Sequence, residues 1–368
     1  MQALTISNLN PSSIRTFISR HKNPLIFLAG FLFDAITIRR IDAWSDLLLQ
    51  IIYLAGLSFL LIYQYRENKG LWRPSGRVSR LWRYNVEILH FLYGGLLSAY
   101  VILYLKSTSG LRGLVYLVFL CVLLLLNEMP QIRRFGYRLR LGLYAFCVAS
   151  FFIYFIPILI GRMGPIIFVL SLLLAAFLVW FVAGILVSKE EDKKRLRLLL
   201  YWPAATVLSL LLLAYYFRLI PPVPLSIRYQ GIFHDVIRTN DGFILHTPKP
   251  PFYAFWRKDS RPFYYREGEK GFYFVRLYAP TRFKHNVLIR WALYNEAKRS
   301  YMTTDLVPMP IVGGRGEGFR GYVYKSSLQT GRWKVSTETD DGRLIGYLTF
   351  SVILDSTDRP RKWKELKM

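Results

Sequence analysis

Six near-continuous apolar runs fill most of the first 219 residues, at about 45–65, 86–105, 111–127, 139–160, 164–187 and 197–219. Each approaches the ~20 residues that an α-helix needs to cross ~30 Å of hydrocarbon. A helix satisfies its backbone polar groups internally, so repeated runs of this length leave little room for any fold but a bundle of membrane-spanning helices. A further stretch at 24–38 is shorter, contains Asp34 and stops at Arg39-Arg40. It reads as a seventh, short span or as a half-inserted helix. A cleaved signal peptide fits it poorly, because Asp34 interrupts the apolar core and no small-x-small site follows.

The chain is 53% hydrophobic yet carries a formal charge of +26, a combination foreign to soluble globular domains. The excess is +15 up to residue 220 and +11 beyond it. A basic balance suits nucleic acid or an anionic membrane surface. With this many spans the lipid bilayer is the expected partner, and nucleic acid is not. Basic residues in short loops stay cytoplasmic. The connections 64–85, 127–140 and 188–197 hold 15 Lys and Arg, against three (Lys106, Arg112 and Arg162) in 106–112 and 157–163. This bias predicts that the last span runs outward and that everything after it is extracytoplasmic. Arg15, Arg20 and Lys22 fit a cytoplasmic N-terminal segment over 1–23.

After residue 219 the pattern changes. Pro221, Pro222 and Pro224 cannot continue a helix and mark a stiff linker over 220–225. Residues 226–356 read as strands. Asp241-Gly242 and Asp341-Gly342 carry hairpin signals. Trp333, Val335 and Thr337 alternate with Lys334 and Ser336, and Val287, Ile289, Trp291 and Leu293 alternate with Leu288, Arg290, Ala292 and Tyr294. Leu344, Leu348, Phe350, Val352 and Leu354 are expected on one face. The predicted fold is therefore a membrane all-α helical bundle of six or seven spans over 24–219, followed by an all-β, Ig-like antiparallel sandwich. Residues 357–368 form a basic tail, in which Arg359, Arg361, Lys362 and Lys364 flank Trp363 and could touch anionic lipid.

Several of these segments resemble a known family. Leu277-Tyr278-Ala279-Pro280, Val287-Leu288-Ile289-Arg290-Trp291, Phe319-Arg320-Gly321-Tyr322-Val323-Tyr324-Lys325-Ser326, Gly331-Arg332-Trp333-Lys334-Val335 and Gly342-Arg343-Leu344-Ile345 through Phe350-Ser351-Val352 resemble the bacterial family called domain of unknown function 2914. The likeness covers about 277–352, a fifth of the chain. The membrane half is also similar to members of that family, where Arg83-Tyr84-Asn85 leads into 91–100 and Tyr104-Leu105-Lys106-Ser107. The resemblance implies a bacterial envelope protein and no activity. It departs from the family pattern at Arg290, where a His precedes the first Trp in the family.

Trp291 and Trp333 have apolar strand neighbours and read as core rather than as sugar-stacking platforms. The opposite faces are the better binding candidates. Arg290 pairs with Tyr294 on one. Arg320, Tyr322 and Tyr324, followed by Lys325, share another, and Arg276 sits with Phe272, Phe274 and Tyr278. Aromatic-plus-Arg surfaces bind glycans, anionic groups or proteins, and ordinary cross-strand pairing gives the same pattern. Residues 252–278 are densely aromatic and basic, which outside the cytoplasm suits docking at the headgroup interface. The run 313–318 lacks the Gly-Lys-Ser/Thr ending of a phosphate loop and reads as a flexible turn.

Among membrane residues, Asp34, Glu87, His90 and Glu128 are the ionisable candidates. Glu87, His90, Gly94 and Ser98 recur at helical spacing on one polar, small-residue face, and Arg83 is placed to pair with Glu87. Cys121 and Cys147 read as apolar packing residues. No metal-ligand spacing, nucleophile triad or cofactor motif is present, so no catalytic residue is assigned and no cofactor is expected. The sequence points to a multi-pass protein of the bacterial inner membrane that presents an extracytoplasmic recognition module for envelope glycan, anionic lipid or a protein partner. A transporter or intramembrane enzyme using the four polar residues is the alternative.

Overall fold

The computed structural model describes residues 31, 36, 43–129, 136–187, 193–240, 242–249, 258–280, 283–313, 318–357 and 360–368. Asp34 with most of 24–38, Arg133, Arg134 and Lys189 of the basic connections, the aromatic stretch 252–257, residues 314–317 and Arg359 lie outside the described residues.

Among the described residues seven helices precede the strands: α1 (Trp44–Asn68), α2 (Gly76–Trp82), α3 (Asn85–Ser107), α4 (Gly110–Glu128), α5 (Tyr137–Ile160), α6 (Pro165–Val187) and α7 (Lys193–Tyr216). Of these, α1, α3, α4, α5 and α6 are long and apolar enough to cross a membrane, and they coincide with the first five apolar runs. The sixth run falls on α7. Its apolar part, Tyr201–Tyr216, is shorter than those five, because Lys193, Lys194, Arg195 and Arg197 occupy its first turns. The basic connection 64–85 is not a plain loop, since it contains α2. There Trp82 donates its indole N–H to Glu67 at 2.6 Å and meets the Trp72 ring at 4.8 Å. Ile166, Leu173, Phe177 and Trp180 stay exposed on α6, a surface that water disfavours and lipid does not.

The chain packs as two compact units. One is Met1–Ile102, Phe119–Val148 and Val179–Ala204, the other Leu103–Val118, Ala149–Leu178 and Ala205–Met368. Polar ties run through the first. The Tyr93 hydroxyl donates to the Arg140 carbonyl at 2.7 Å, and the Tyr100 hydroxyl to the Cys147 carbonyl at 2.8 Å. Both partners advance by seven residues, so α3 and α5 run parallel. Cys147 is buried and Cys121 half-buried, and both are free.

The second unit holds strands β1 (Ser226–Phe233), β2 (Asp235–Thr239), β3 (Gly242–Pro248), β4 (Phe263–Tyr265), β5 (Gly271–Tyr278), β6 (Lys284–Asn295), β7 (Ser300–Val312), β8 (Phe319–Lys325), β9 (Gly331–Thr339), β10 (Leu344–Leu354) and β11 (Trp363–Lys367). They form three sheets with the orders β4-β10-β9-β6-β7, β1-β5-β8 and β11-β3-β2. Among the described residues only β4 with β10 pairs in parallel. The first two sheets share one core. Trp291, Trp333, Val335 and Phe350 come from one, and Ile232, Tyr273, Val275 and Leu277 from the other. Trp291 and Trp333 are fully buried and meet edge-on at 6.4 Å, so both are core residues. The other face of β5 is covered as well: Phe274 packs with Phe233, Val236 and Leu245 under the third sheet.

Two expectations need correction. The face expected for 344–354 is broken by a bulge between Leu344 and Gly346. An extra residue reverses the in–out alternation, so Ile345 enters the core and Leu344 does not. Leu354 is exposed because it lies beyond the last pairing with β9, Val352 opposite Gly331. The segment expected as a basic tail carries β11, which pairs with β3 from Trp363 opposite Pro248 to Lys367 opposite Ile244. Arg361 is nearly buried and bridges Glu269 and Asp355, each at 2.9 Å.

The proline-rich linker is packed against the protein, with residues 220–226 buried. Within the second unit the strands seat directly on helix ends. The Ser109 hydroxyl donates to the Ile345 carbonyl at 2.7 Å, the Lys284 amide to the Gly161 carbonyl at 2.9 Å, and Met163 joins the main β core.

Candidate functional site

The sequence candidates fall into separate places. Arg290 is committed to a carboxylate: its Nε and Nη2 donate to Glu338 at 3.0 and 2.9 Å. Tyr294 belongs to a different cluster, with Tyr301 at 5.1 Å and the Arg332 guanidinium 4.1 Å from its ring centre. Lys325 pairs with Asp305. Tyr322 lies opposite Phe274 and packs toward the third sheet, and exposed Tyr324 lies opposite Phe272 with the Lys270 ammonium 4.9 Å from its ring. The faces read as solvated are thus largely occupied by the protein itself.

Two candidates do come together. Arg276 on β5 stands directly opposite Arg320 on β8. Burial, then Arg320 and Arg228, lowers the pKa of the Arg276 guanidinium from its ordinary value, and the Arg320 Nε is buried without a hydrogen-bond partner among the described residues.

In the first unit, His90 is buried. Its Nδ1 lies 3.0 Å from the Asn127 Oδ1, and the Asn127 amide donates to the His90 carbonyl at 3.0 Å. A side chain at Gly94 would meet the Glu128 carboxylate at 3.3 Å, so this glycine makes room for Glu128. Ser98 is buried on the same helix, whereas Glu87 is exposed. Among the described residues no group of three or more His, Cys, Asp or Glu could hold a metal.

A groove of about 460 Å³ within the second unit gathers unspent charge. One wall is the start of α4, with Ser109, Gly110, Leu111, Arg112 and Gly113, and another is the stretch after α7, with Arg218, Ile220, Pro221 and Pro222. The floor comes from β6, β9 and β10: Arg290, Lys334, Ser336, Glu338, Gly342, Arg343, Leu344 and Tyr347. Five cations therefore face one carboxylate. Glu338 is saturated by Arg290 and by the Ser336 hydroxyl at 2.9 Å. Arg343 is buried, gives its Nε to Asp341 at 2.9 Å and lies 4.9 Å from the Tyr215 ring centre. The Lys334 ammonium rests 4.6 Å from the Tyr347 ring centre. Among the described residues, the side chains of Arg112 and Arg218 have no hydrogen bond or ion pair.

The turn between β9 and β10 shapes this groove. Gly342 has φ of +76°, a left-handed conformation that glycine adopts without strain. A Cβ there would meet the Arg218 guanidinium at 2.9 Å. The glycine thus serves both the turn and the space that Arg218 fills. Of the groove cations, sequence reasoning singled out Arg290 for binding and missed Arg218, Lys334 and Arg343. One signal was present: Arg112 is among the three cations of the cation-poor connections 106–112 and 157–163.

No curated protein matches the chain. Among solved structures, an immunoglobulin-like protein from Pseudomonas aeruginosa aligns with 11% identity over 36% of this chain and 98% of its own, with a TM-score of 0.21. Alkylpurine DNA glycosylase AlkC of Pseudomonas fluorescens, bound to DNA containing an abasic site analog, aligns with 10% identity over 83% of this chain and 98% of its own, with a TM-score of 0.22. Scores this low carry no argument about fold or activity. Residues 284–352, which supply Arg290, Lys334, Glu338 and Arg343 to the groove, match the model of the family described as a protein of unknown function, DUF2914.

Proposed function

We propose that this is a multi-pass protein of the bacterial inner membrane whose β-rich region faces the extracytoplasmic side and acts as a recognition module for an anionic ligand. In this reading the bundle has six or seven spans and the first two sheets form an Ig-like sandwich. The observation that supports recognition is the groove, where Arg112 and Arg218 keep uncompensated charge beside a floor of β-strands. Uncompensated cations in a concavity raise the local concentration of anions. The orientation rests on the 15 loop cations of one side against three of the other.

Single-cysteine labelling tests the orientation. With Cys121 and Cys147 replaced, a cysteine at exposed Ser300 is expected to react with an impermeant maleimide in intact spheroplasts. Reaction only after lysis would reverse the topology. A second reading, transport or chemistry within the bundle, is favoured by buried His90 and its two hydrogen bonds to Asn127. It predicts loss of cellular function in a Glu87→Gln/His90→Phe variant that still folds.

A further inference from the structure

We propose that the groove binds the phosphate-bearing head of a membrane lipid. This deepens the recognition reading and rests on it.

Three observations carry the inference. The cations converge from separate elements, Arg112 from the first turn of α4, Arg218 from the stretch just after α7 and Lys334 from β9. A carboxylate is satisfied by one guanidinium fork, whereas a phosphate, with more oxygens and more charge, takes several donors at once. Among the described residues no carboxylate is left as a counterion for Arg112 and Arg218, because Glu338 and Asp341 are spent on Arg290 and Arg343. Finally, two of the three walls are ends of apolar helices, and Leu111 beside Arg112 is 78% exposed. A charged groove bordered by exposed apolar helix surface matches a molecule with an anionic head and an apolar tail. At the end of a spanning helix it also sits at the depth where lipid phosphates lie. The first turn of α4 adds the positive end of a helix dipole, which reinforces the cations without being needed to explain them.

The test uses the full chain in nanodiscs of phosphatidylcholine doped with phosphatidylglycerol, with lipid retention read by native mass spectrometry. The wild-type protein is expected to enrich phosphatidylglycerol over phosphatidylcholine, and Arg112→Gln/Arg218→Gln is expected to lose that enrichment about tenfold. Arg332→Gln, which changes a cation outside the groove, should leave it intact. Unchanged thermal stability of each variant shows that it has folded. Glycerol 1-phosphate and inorganic phosphate form a second arm. Competition by either at millimolar concentration supports phosphate recognition, and enrichment that resists both places the specificity in the intact lipid. Equal retention of both lipids, or enrichment untouched by the double variant, overturns the proposal. If the same nanodiscs nevertheless capture soluble glycan fragments of the cell wall, recognition survives and only the lipid assignment fails.

Discussion

Tyr215, near the end of α7, donates its hydroxyl to the Asp341 carboxylate in the β9–β10 turn at 2.7 Å. The same carboxylate accepts the Arg343 Nε at 2.9 Å and the Thr339 hydroxyl. Burial pushes the Asp341 pKa up, but Arg343 and the hydrogen bonds from Thr339 and Tyr215 outweigh it and hold the carboxyl below its ordinary value. Asp341→Asn leaves buried Arg343 without its countercharge. An unpaired buried charge costs about 3 kcal/mol, so thermal unfolding of the full chain in detergent should shift down accordingly. In the parent protein this contribution is complete above the ordinary carboxylate pKa of about 3.9 and fades as pH falls through the lowered value. A variant as stable as the parent at pH 7 would show that the contact is incidental.

His234 makes a second pH dependence, in a different window. Its ring stacks on Phe263 at 4.1 Å, and its Nδ1 lies 3.1 Å from the Arg361 guanidinium, with Glu269, Asp355 and Arg266 around it. Burial and then Arg361 lower its pKa to about 3. An unfolded histidine takes up a proton near pH 6.5 and this one does not, so stability falls as pH drops from about 6.5 toward 3. Burial lowers the His285 pKa as well, outweighing the opposite pull of Asp340 and Asp341, and adds to the same slope. Between pH 6.5 and 4.5, His234→Gln should flatten the fall of stability with pH. An unaltered slope would mean that His234 is charged in the folded protein.

Trp333 sits edge-on to Trp291 in the main β core and donates its indole N–H to the Gln329 carbonyl at 2.8 Å. Trp333→Ala should cost about 3–5 kcal/mol and broaden the near-ultraviolet signal of the indole pair. Tyr324→Ala, on an exposed ring, should change stability by under about 0.5 kcal/mol. Equal losses from the two would place the core elsewhere.

Arg320→Gln is predicted to be neutral or stabilising. Like charges directly opposite on neighbouring strands oppose the pairing by about 0.5 kcal/mol, and Arg276 faces Arg320 in this way. The gain should shrink as salt screens the pair. A loss above about 1 kcal/mol would reveal an anion, bound between the two arginines, that holds them together.

Much of this was legible in the sequence for a simple reason: one-dimensional periodicity reports burial. The five helices long and apolar enough to cross a membrane follow from run length alone, and the core side of β6 and β9 from the alternation around Trp291 and Trp333. Misreadings arose where a second layer or an extra residue intervened. Phe274 and Tyr322 looked like a solvent face because the strands that cover them, β3 and β11, lie outside the sheet to which they belong. Ile345 took the place of Leu344 because a bulge leaves no mark on composition. The groove was the hardest to read. Arg112, Arg218 and Lys334 lie more than a hundred residues apart in sequence, and no local pattern joins a helix start, a helix end and a strand.

Met163 lies in the connection between α5 and α6, yet its side chain closes part of the main β core. That core is therefore completed only when this connection and the C-terminal strands reach the same side of the membrane. A chain inserted with α5 and α6 the wrong way round would present its strands with an unfilled slot, and the strand region would register the error. The packing of one methionine thus ties the stability of the strand region to the placement of the α5–α6 connection.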